Sequence, residues 1–466
     1  DTWKVGVELN EHVHVYTGVT DVRETLPHGM VHRSLIKSPL VVMIPSDDWR
    51  DGMERFGKLC GEYRPPIKSN VNTIMGWNSW FAYQKEINLK KYQAASNFIK
   101  SLENFNEGGV SYVNFDAFWT ALSKDELRIA AKTVIDNGQI PGIYLAPFAT
   151  WGKLKDFVEI AKSDYGEIPK VSGFENTRWV DILLKDENGN ILPTLDDGYA
   201  LDVSHPVVLK RMEDTIRYFE SLGFKYVKLD FLGHGALEGV HYDSDIQTGL
   251  EAYNMAMKKL SDICVSANMF ISLSIAPTFP GGYGHARRIS CDVFGKYKDS
   301  EYELNSLTYG FWQNKNVYEF TDPDHLCFCE GFGEAKFRFM AGVISGTLML
   351  LSDKIEDTVT IKNTREILAH NNILELSRKH VAFRPVRSGK DEKAANLFTA
   401  VIDGMTYLAI FNYENIDKKF KILPSEIDLK SENGEYEDMW TCEKHEYHDM
   451  INITLSPNEC AILSIK

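Results

Sequence analysis

Between residues 72 and 368 the chain repeats one rhythm, a short run of consecutive apolar residues followed by a longer stretch in which apolar residues recur every three or four positions. A continuous apolar run reads as a strand buried on both faces, and the longer spacing as an amphipathic helix lying over it. The alternation therefore predicts βαβ units in a parallel sheet. The strand candidates are residues 73–75, 111–115, 140–145, 200–203 or 180–184, 226–229, 270–275, 289–293 and 348–351. About eight such units fit a (β/α)8 TIM barrel, a fold of about 250 residues before insertions. The helices between them carry their own signals. Ser123 with Glu126 three residues later has capping-box spacing and Gly138 closes that helix, while His205-Pro206 opens another that runs to Gly223.

The flanks follow a different period. Residues 3–8, 12–16 and 40–44 alternate as strands do, and residues 47–63 are helical up to Pro65-Pro66. Beyond residue 396, short alternating segments at 398–402, 406–411, 420–422, 451–455 and 461–465 are separated by Gly, Pro and Asn turns, which predicts a C-terminal antiparallel β-sandwich domain. The expected organisation is a short β-rich N-terminal segment ending in a helix (1–70), a catalytic barrel (71–370) and the C-terminal β domain (390–466). A single sequon, Asn452-Ile453-Thr454, falls in that domain.

Composition narrows the function classes. Apolar residues are 44% and charged residues 25% of the 466, which are ordinary globular proportions. Lys+Arg 51 against Asp+Glu 66 leaves a net charge of −15, a field that repels phosphate backbones, so nucleic acid is not an expected partner. The most apolar stretch, residues 341–351, is too short for a membrane span and is broken by Gly and Ser. Nine Trp and twenty-one Tyr suit a site that stacks rings on sugar faces. Seven cysteines without a CxxC pair suggest buried thiols rather than zinc or redox work, and Cys327 and Cys329, two apart, would share one face of a strand. No metal or organic cofactor is expected. The first residue is Asp rather than Met, which fits either a processed or a trimmed N-terminus and leans towards a secreted or periplasmic setting.

In a TIM barrel the chemistry sits at the C-terminal ends of the strands. Acidic residues directly after apolar runs are therefore the candidates: Asp116 after residues 112–115, Asp230 after 226–229 and Asp292 after 288–291. A lone strand-end Asp often only caps the next helix. Three of them, with Lys228 and Arg288 close in sequence, can hold one carboxyl ionised as a nucleophile and another protonated as an acid, the division of labour that glycoside hydrolysis requires. Lys228 and Asp230, two apart on a strand, share a face, which brings ammonium beside carboxylate. Arg288 and Asp292, four apart, fit one side of an extended segment.

MGWNSW (75–80), YVKLD (226–230), Arg288-x-x-x-Asp292 and DPDHL (322–326), in that order, resemble the α-galactosidase clan of retaining glycoside hydrolases, which contains the α-galactosidase and α-N-acetylgalactosaminidase families. The resemblance covers residues 71–353, and Asp438-Met439-Trp440-Thr441 resembles part of the clan's C-terminal β domain. It implies Asp230 as the nucleophile, Asp292 as the general acid/base, and Trp80, Asp116, Tyr144, Lys228, Arg288 and Asp324 as sugar contacts. Trp77 reads as either a sugar contact or barrel core.

Two departures matter. Galactose-specific members of the clan carry Asp-Asp-x-Trp after the second strand, where this chain has Asp116-Ala117-Phe118-Trp119. Ser274-Ile275-Ala276-Pro277 lacks the Cys-Glu or Cys-Gly pattern that many relatives use near the sugar's 2-substituent. The resemblance thus implies a retaining exo-α-glycosidase, α-galactosidase-like, acting on an oligosaccharide or glycoside. Its alternatives are α-N-acetylgalactosaminidase, β-L-arabinopyranosidase, a transglycosidase, or a carbohydrate-binding barrel without catalysis. Nothing in the sequence sets the oligomeric state.

Overall fold

The structure, a computed structural model, describes residues 2–8, 12–19, 31–35, 40–69, 71, 73–107, 109–158, 162–163, 166–346, 348–387 and 393–466. Its centre is a (β/α)8 barrel with strands β1 (Ile74–Asn78), β2 (Tyr112–Asn114), β3 (Ile140–Leu145), β4 (Tyr226–Leu229), β5 (Phe270–Leu273), β6 (Ala286–Arg288), β7 (Phe320–Asp322) and β8 (Leu348–Leu351). Nearly every strand residue is buried, as expected of a parallel sheet covered on both faces. The chain divides into two compact units, Asp1–Met43 with Ile143–Gly284, and Ile44–Gly142 with His285–Lys466.

In the first unit β4 pairs in parallel with β5 from Tyr226↔Phe270 to Leu229↔Leu273, and the Asp230 amide donates to the Leu145 carbonyl at the end of β3. Between β3 and β4 lies a long excursion in which Ala149–Thr150 pairs antiparallel with Tyr199–Ala200 over a cluster of Phe157, Trp179, Ile182, Leu201 and Val208. His205 caps the helix Pro206–Ser221 with Pro at its start, as the sequence implied. The N-terminal strands Thr2–Glu8 and His12–Val19 form an antiparallel hairpin.

In the second unit β1 pairs with β2 and β8, and β6 with β7. The Thr321 amide donates to the Gly346 carbonyl (3.0 Å) and Leu326 bridges Leu351, which joins the β7 and β8 sides. The helix Lys124–Asp136 begins with the expected Ser123/Glu126 capping box. C-terminal to the barrel, a six-stranded antiparallel sheet and the pair Lys418–Ile422 with Ile451–Leu455 enclose Leu408, Ile410, Phe420, Ile422, Ile451 and Leu463. This is the expected sandwich.

Several expectations are corrected. Residues 180–184 and 200–203 supply no barrel strand; 3-10 helix Trp179–Ile182 and the short antiparallel pair occupy that region, and β7 completes the eight instead. With a single apolar residue in Phe-Thr-Asp, β7 has no period to read, and backbone bonds from Phe320 to His285 and Thr321 to Gly346 hold it. Strand β6 ends at Arg288, so residues 289–293 form a loop. Residues 40–44 are not a strand, and Leu40 and Met43 are exposed. Strands Asn433–Asp438 and Lys444–His448 escaped the pattern because most of their side chains are polar and exposed. The thiols are only partly buried: Cys264, Cys327 and Cys460 are inside, Cys291 and Cys442 exposed. Cys327 and Cys329 lie outside any strand. No helix among the described residues is long and apolar enough to cross a membrane.

The glycine of MGWNSW has a packing reason. A Cβ on Gly76 would lie 1.8 Å from the Tyr112 carbonyl oxygen and 2.6 Å from its carbon, backbone atoms that cannot yield without breaking the β1–β2 pairing. Gly76→Ala is expected to abolish the cooperative unfolding transition followed by circular dichroism, whereas Gly109→Ala, where a Cβ meets nothing within 4 Å, keeps it.

Candidate active site

In the first unit, β4 delivers Lys228 and Asp230 to one face. The Lys228 ammonium lies 3.7 Å from Asp230 Oδ2 and 5.7 Å from the centre of the Tyr144 ring, which β3 supplies. The three candidates from this unit therefore come together. Asp230 is fixed from both sides, its amide donating to the Leu145 carbonyl and its Oδ1 accepting the Phe231 amide at 2.8 Å. Phe231 itself sits in the left-handed region at φ 52°, where the strand turns sharply into its loop.

In the second unit, the loop after β6 folds back on Arg288. The guanidinium is buried and each of its nitrogens is engaged: Nε donates to the Ser290 carbonyl (3.1 Å), Nη1 meets Asp324 Oδ1 (2.8 Å) and Nη2 donates to Asp292 Oδ1 (2.5 Å). Burial opposes its charge, but Asp324, Asp292 and Asp322 outweigh that and raise its pKa further, so it stays a cation. Trp80 Nε1 donates to the other oxygen of Asp292 at 3.1 Å. Asp292 nonetheless keeps 43% of its side chain exposed while its partner Arg288 keeps 6%. A held but accessible carboxyl can exchange a proton with a bound molecule.

Asp324 has a different character. Its side chain is almost wholly buried, one oxygen on Arg288 and the other accepting the Val293 amide at 2.7 Å, so it fixes both ends of the loop that carries Asp292. Asp116, also buried, accepts from Asn78 Nδ2 (3.0 Å) and from the Ala117 amide (2.9 Å), while its own amide donates to Ser79 Oγ (2.9 Å). Trp77 is core: its Nε1 donates to the Asp353 carbonyl inside the barrel.

The sequence passed over Asn78, Ser79 and Phe118. The first two lie within the W-N-S-W run already quoted, and their side chains hold Asp116. Phe118 is half exposed, has φ 70°, and its ring is parallel to Trp80's with centroids 6.1 Å apart. Only its place between Ala117 and Trp119 signalled it. Among the described residues no group of three or more His, Cys, Asp or Glu is placed to hold a metal ion.

No family model matches the chain. Solved structures do. A GH27 β-L-arabinopyranosidase from Geobacillus stearothermophilus, in complex with arabinose, aligns with TM-score 0.64 at 15% identity over 84% of this chain and 97% of that one. Alpha-galactosidase I from Mortierella vinacea aligns with TM-score 0.59 at 14% identity over 85% and 98%. The isomalto-dextranase of Arthrobacter globiformis T6, complexed with panose, gives 0.62 at 16% over 84% and 72%. The fold is the one these solved enzymes share. At these identities the likeness fixes the architecture, while the chemistry rests on the side chains above.

The buried Arg288 charge is paired directly with Asp324 and Asp292, so a one-sided change is costly. Arg288→Met is expected to lower stability by about 3–5 kcal/mol, read from the urea midpoint, because Asp324 is left buried without its cation. Adding Asp324→Asn to that variant is expected to return part of the loss.

Proposed function

We propose that the chain is a retaining exo-α-glycosidase of α-galactosidase type. The observation that carries this reading is Asp292, held by Arg288 and Trp80 yet open to solvent, in a barrel whose β4 ends in the Lys228–Asp230 pair. Asp230, its charge favoured by Lys228, attacks the anomeric carbon, and the C–O bond to the leaving group breaks as Asp292 gives that oxygen a proton. Asp292, now a carboxylate, takes a proton from water, whose oxygen displaces Asp230 and restores the starting configuration. Trp80, Tyr144, Asp116 and Lys228 would face the sugar, and Asp324 would hold Arg288 and the Asp292 loop in place.

Ala117 favours a second reading within the clan. The carboxylate expected there would bind hydroxyls of the galactose ring, and its absence forfeits a charge-assisted hydrogen bond of about 1.5–3 kcal/mol. A β-L-arabinopyranoside, which is galactose-like without the 6-hydroxymethyl group, depends less on that bond. α-N-acetylgalactosaminides and the α-glucosides suggested by the isomalto-dextranase likeness, both of which keep the 6-hydroxymethyl group, enter the test as comparisons.

Nitrophenyl α-galactoside, α-N-acetylgalactosaminide, α-glucoside and β-L-arabinopyranoside are the panel. Hydrolysis of at least one with retention of configuration by NMR is expected. On the best substrate Asp230→Asn should form no covalent glycosyl-enzyme, and Asp292→Asn should lower kcat/KM by about 10²–10⁴, least for the best leaving group. Near-normal rates in both variants would overturn the assignment; sugar binding without turnover on any member would favour a binding protein.

A further inference from the structure

The helix Tyr297–Gly310, which follows the Asp292 loop, carries a row of aromatic rings that the proposed reaction does not use. Tyr302 and Tyr309 are seven residues apart, two turns on one stripe and about 10 Å along the axis. The two residues are 55% and 46% exposed. Trp49, from the helix Trp49–Tyr63, prolongs the row with its ring 6.0 Å from that of Tyr309. Single exposed aromatics are ordinary on a protein surface. Tyr302 and Tyr309 border a groove of about 500 Å³ whose polar side is made by Lys298, Glu301, Asn305 and Lys393. Burial raises the Glu301 pKa and Lys393 partly offsets it, so the carboxyl is already partly stripped of water.

Ring faces beside a few hydrogen-bonding groups are the chemistry that neutral sugars take: C–H faces lie on the rings and hydroxyls reach the carboxylate and amide. The row also begins at the acid/base candidate. The Tyr302 hydroxyl is 3.9 Å from Sγ of Cys291, the residue before Asp292. A general acid protonates the leaving oxygen, so the departing portion of the substrate lies on the Asp292 side. We propose that this groove is a track for the leaving portion of the substrate, and that the substrate class is therefore an oligosaccharide or polysaccharide glycoside rather than one with a small aglycone. This rests on the glycosidase reading above and extends it away from the reacting bond.

The test uses native gels containing soluble galactomannan or dextran. The wild-type chain is expected to be retarded by at least one of them. Tyr302→Ala/Tyr309→Ala should raise the dissociation constant from the gel series at least tenfold, and Tyr302→Phe/Tyr309→Phe, which keeps both ring faces, should restore it. A thermal melt checks the fold of the alanine variant; if it melts early, Tyr302→Ala alone gives the same reading. Equal retardation of wild type and alanine variant, or no retardation of wild type in either gel, overturns the track. Because retardation needs no turnover, the two readings fail separately. A chain that hydrolyses no glycoside but loses retardation in the alanine variant keeps a sugar-binding groove and refutes the hydrolase. A chain that cleaves a nitrophenyl glycoside without retardation refutes the track alone.

Discussion

The buried guanidinium of Arg288 is the constraint around which the second unit's site is arranged. A cation withdrawn from water must find its compensation nearby, and here Asp292, Asp324 and the Ser290 carbonyl divide its three nitrogens among them. The loop after β6 is therefore pulled back onto the strand that precedes it. Asp324 extends the arrangement by taking the Val293 amide, which ties the β7 end to the residue next to Asp292. Of the two acids, Asp292 is left facing solvent. Its exposure follows from its place at the open end of the network.

The first unit solves a similar problem with one cation and one carboxylate, both buried. Lys228 reaches Asp230 along one strand face and lies against the Tyr144 ring, so its charge is met by a carboxylate and by π-electron density. Asp230 is oriented by backbone bonds on either side, from the Phe231 amide and to the Leu145 carbonyl. In both units a carboxylate beyond a strand end pairs with a cation carried on that strand.

Backbone proximity sets what can vary around these groups. Gly76 cannot acquire a Cβ because β1 and β2 approach too closely there, and the next residues, Trp77, Asn78 and Ser79, serve packing and the support of Asp116 rather than contact with a ligand. Aromatic surface is spent differently. Phe118 stands parallel to Trp80 beside the acid/base candidate, and Tyr302, Tyr309 and Trp49 continue outward from it.

The sequence by itself determined the barrel's alternation, the C-terminal sandwich, the helix starts at Ser123 and His205-Pro206, and the sharing of a face by Lys228 and Asp230. Each of these depends on spacing within one element, where the periods of helix and strand are fixed by backbone geometry. Only the tertiary structure decided that Phe320–Asp322 completes the barrel while residues 180–184 and 200–203 do not, since a three-residue strand is defined by the neighbours that accept its hydrogen bonds. It also separated Trp77, sunk in the core, from Trp80, bonded to Asp292, although the two lie three residues apart in one motif. It turned Asp324 inward to hold Arg288 and the Val293 amide. Burial and partnership are properties of groups distant in the chain, and no local pattern encodes which of several similar residues will meet them.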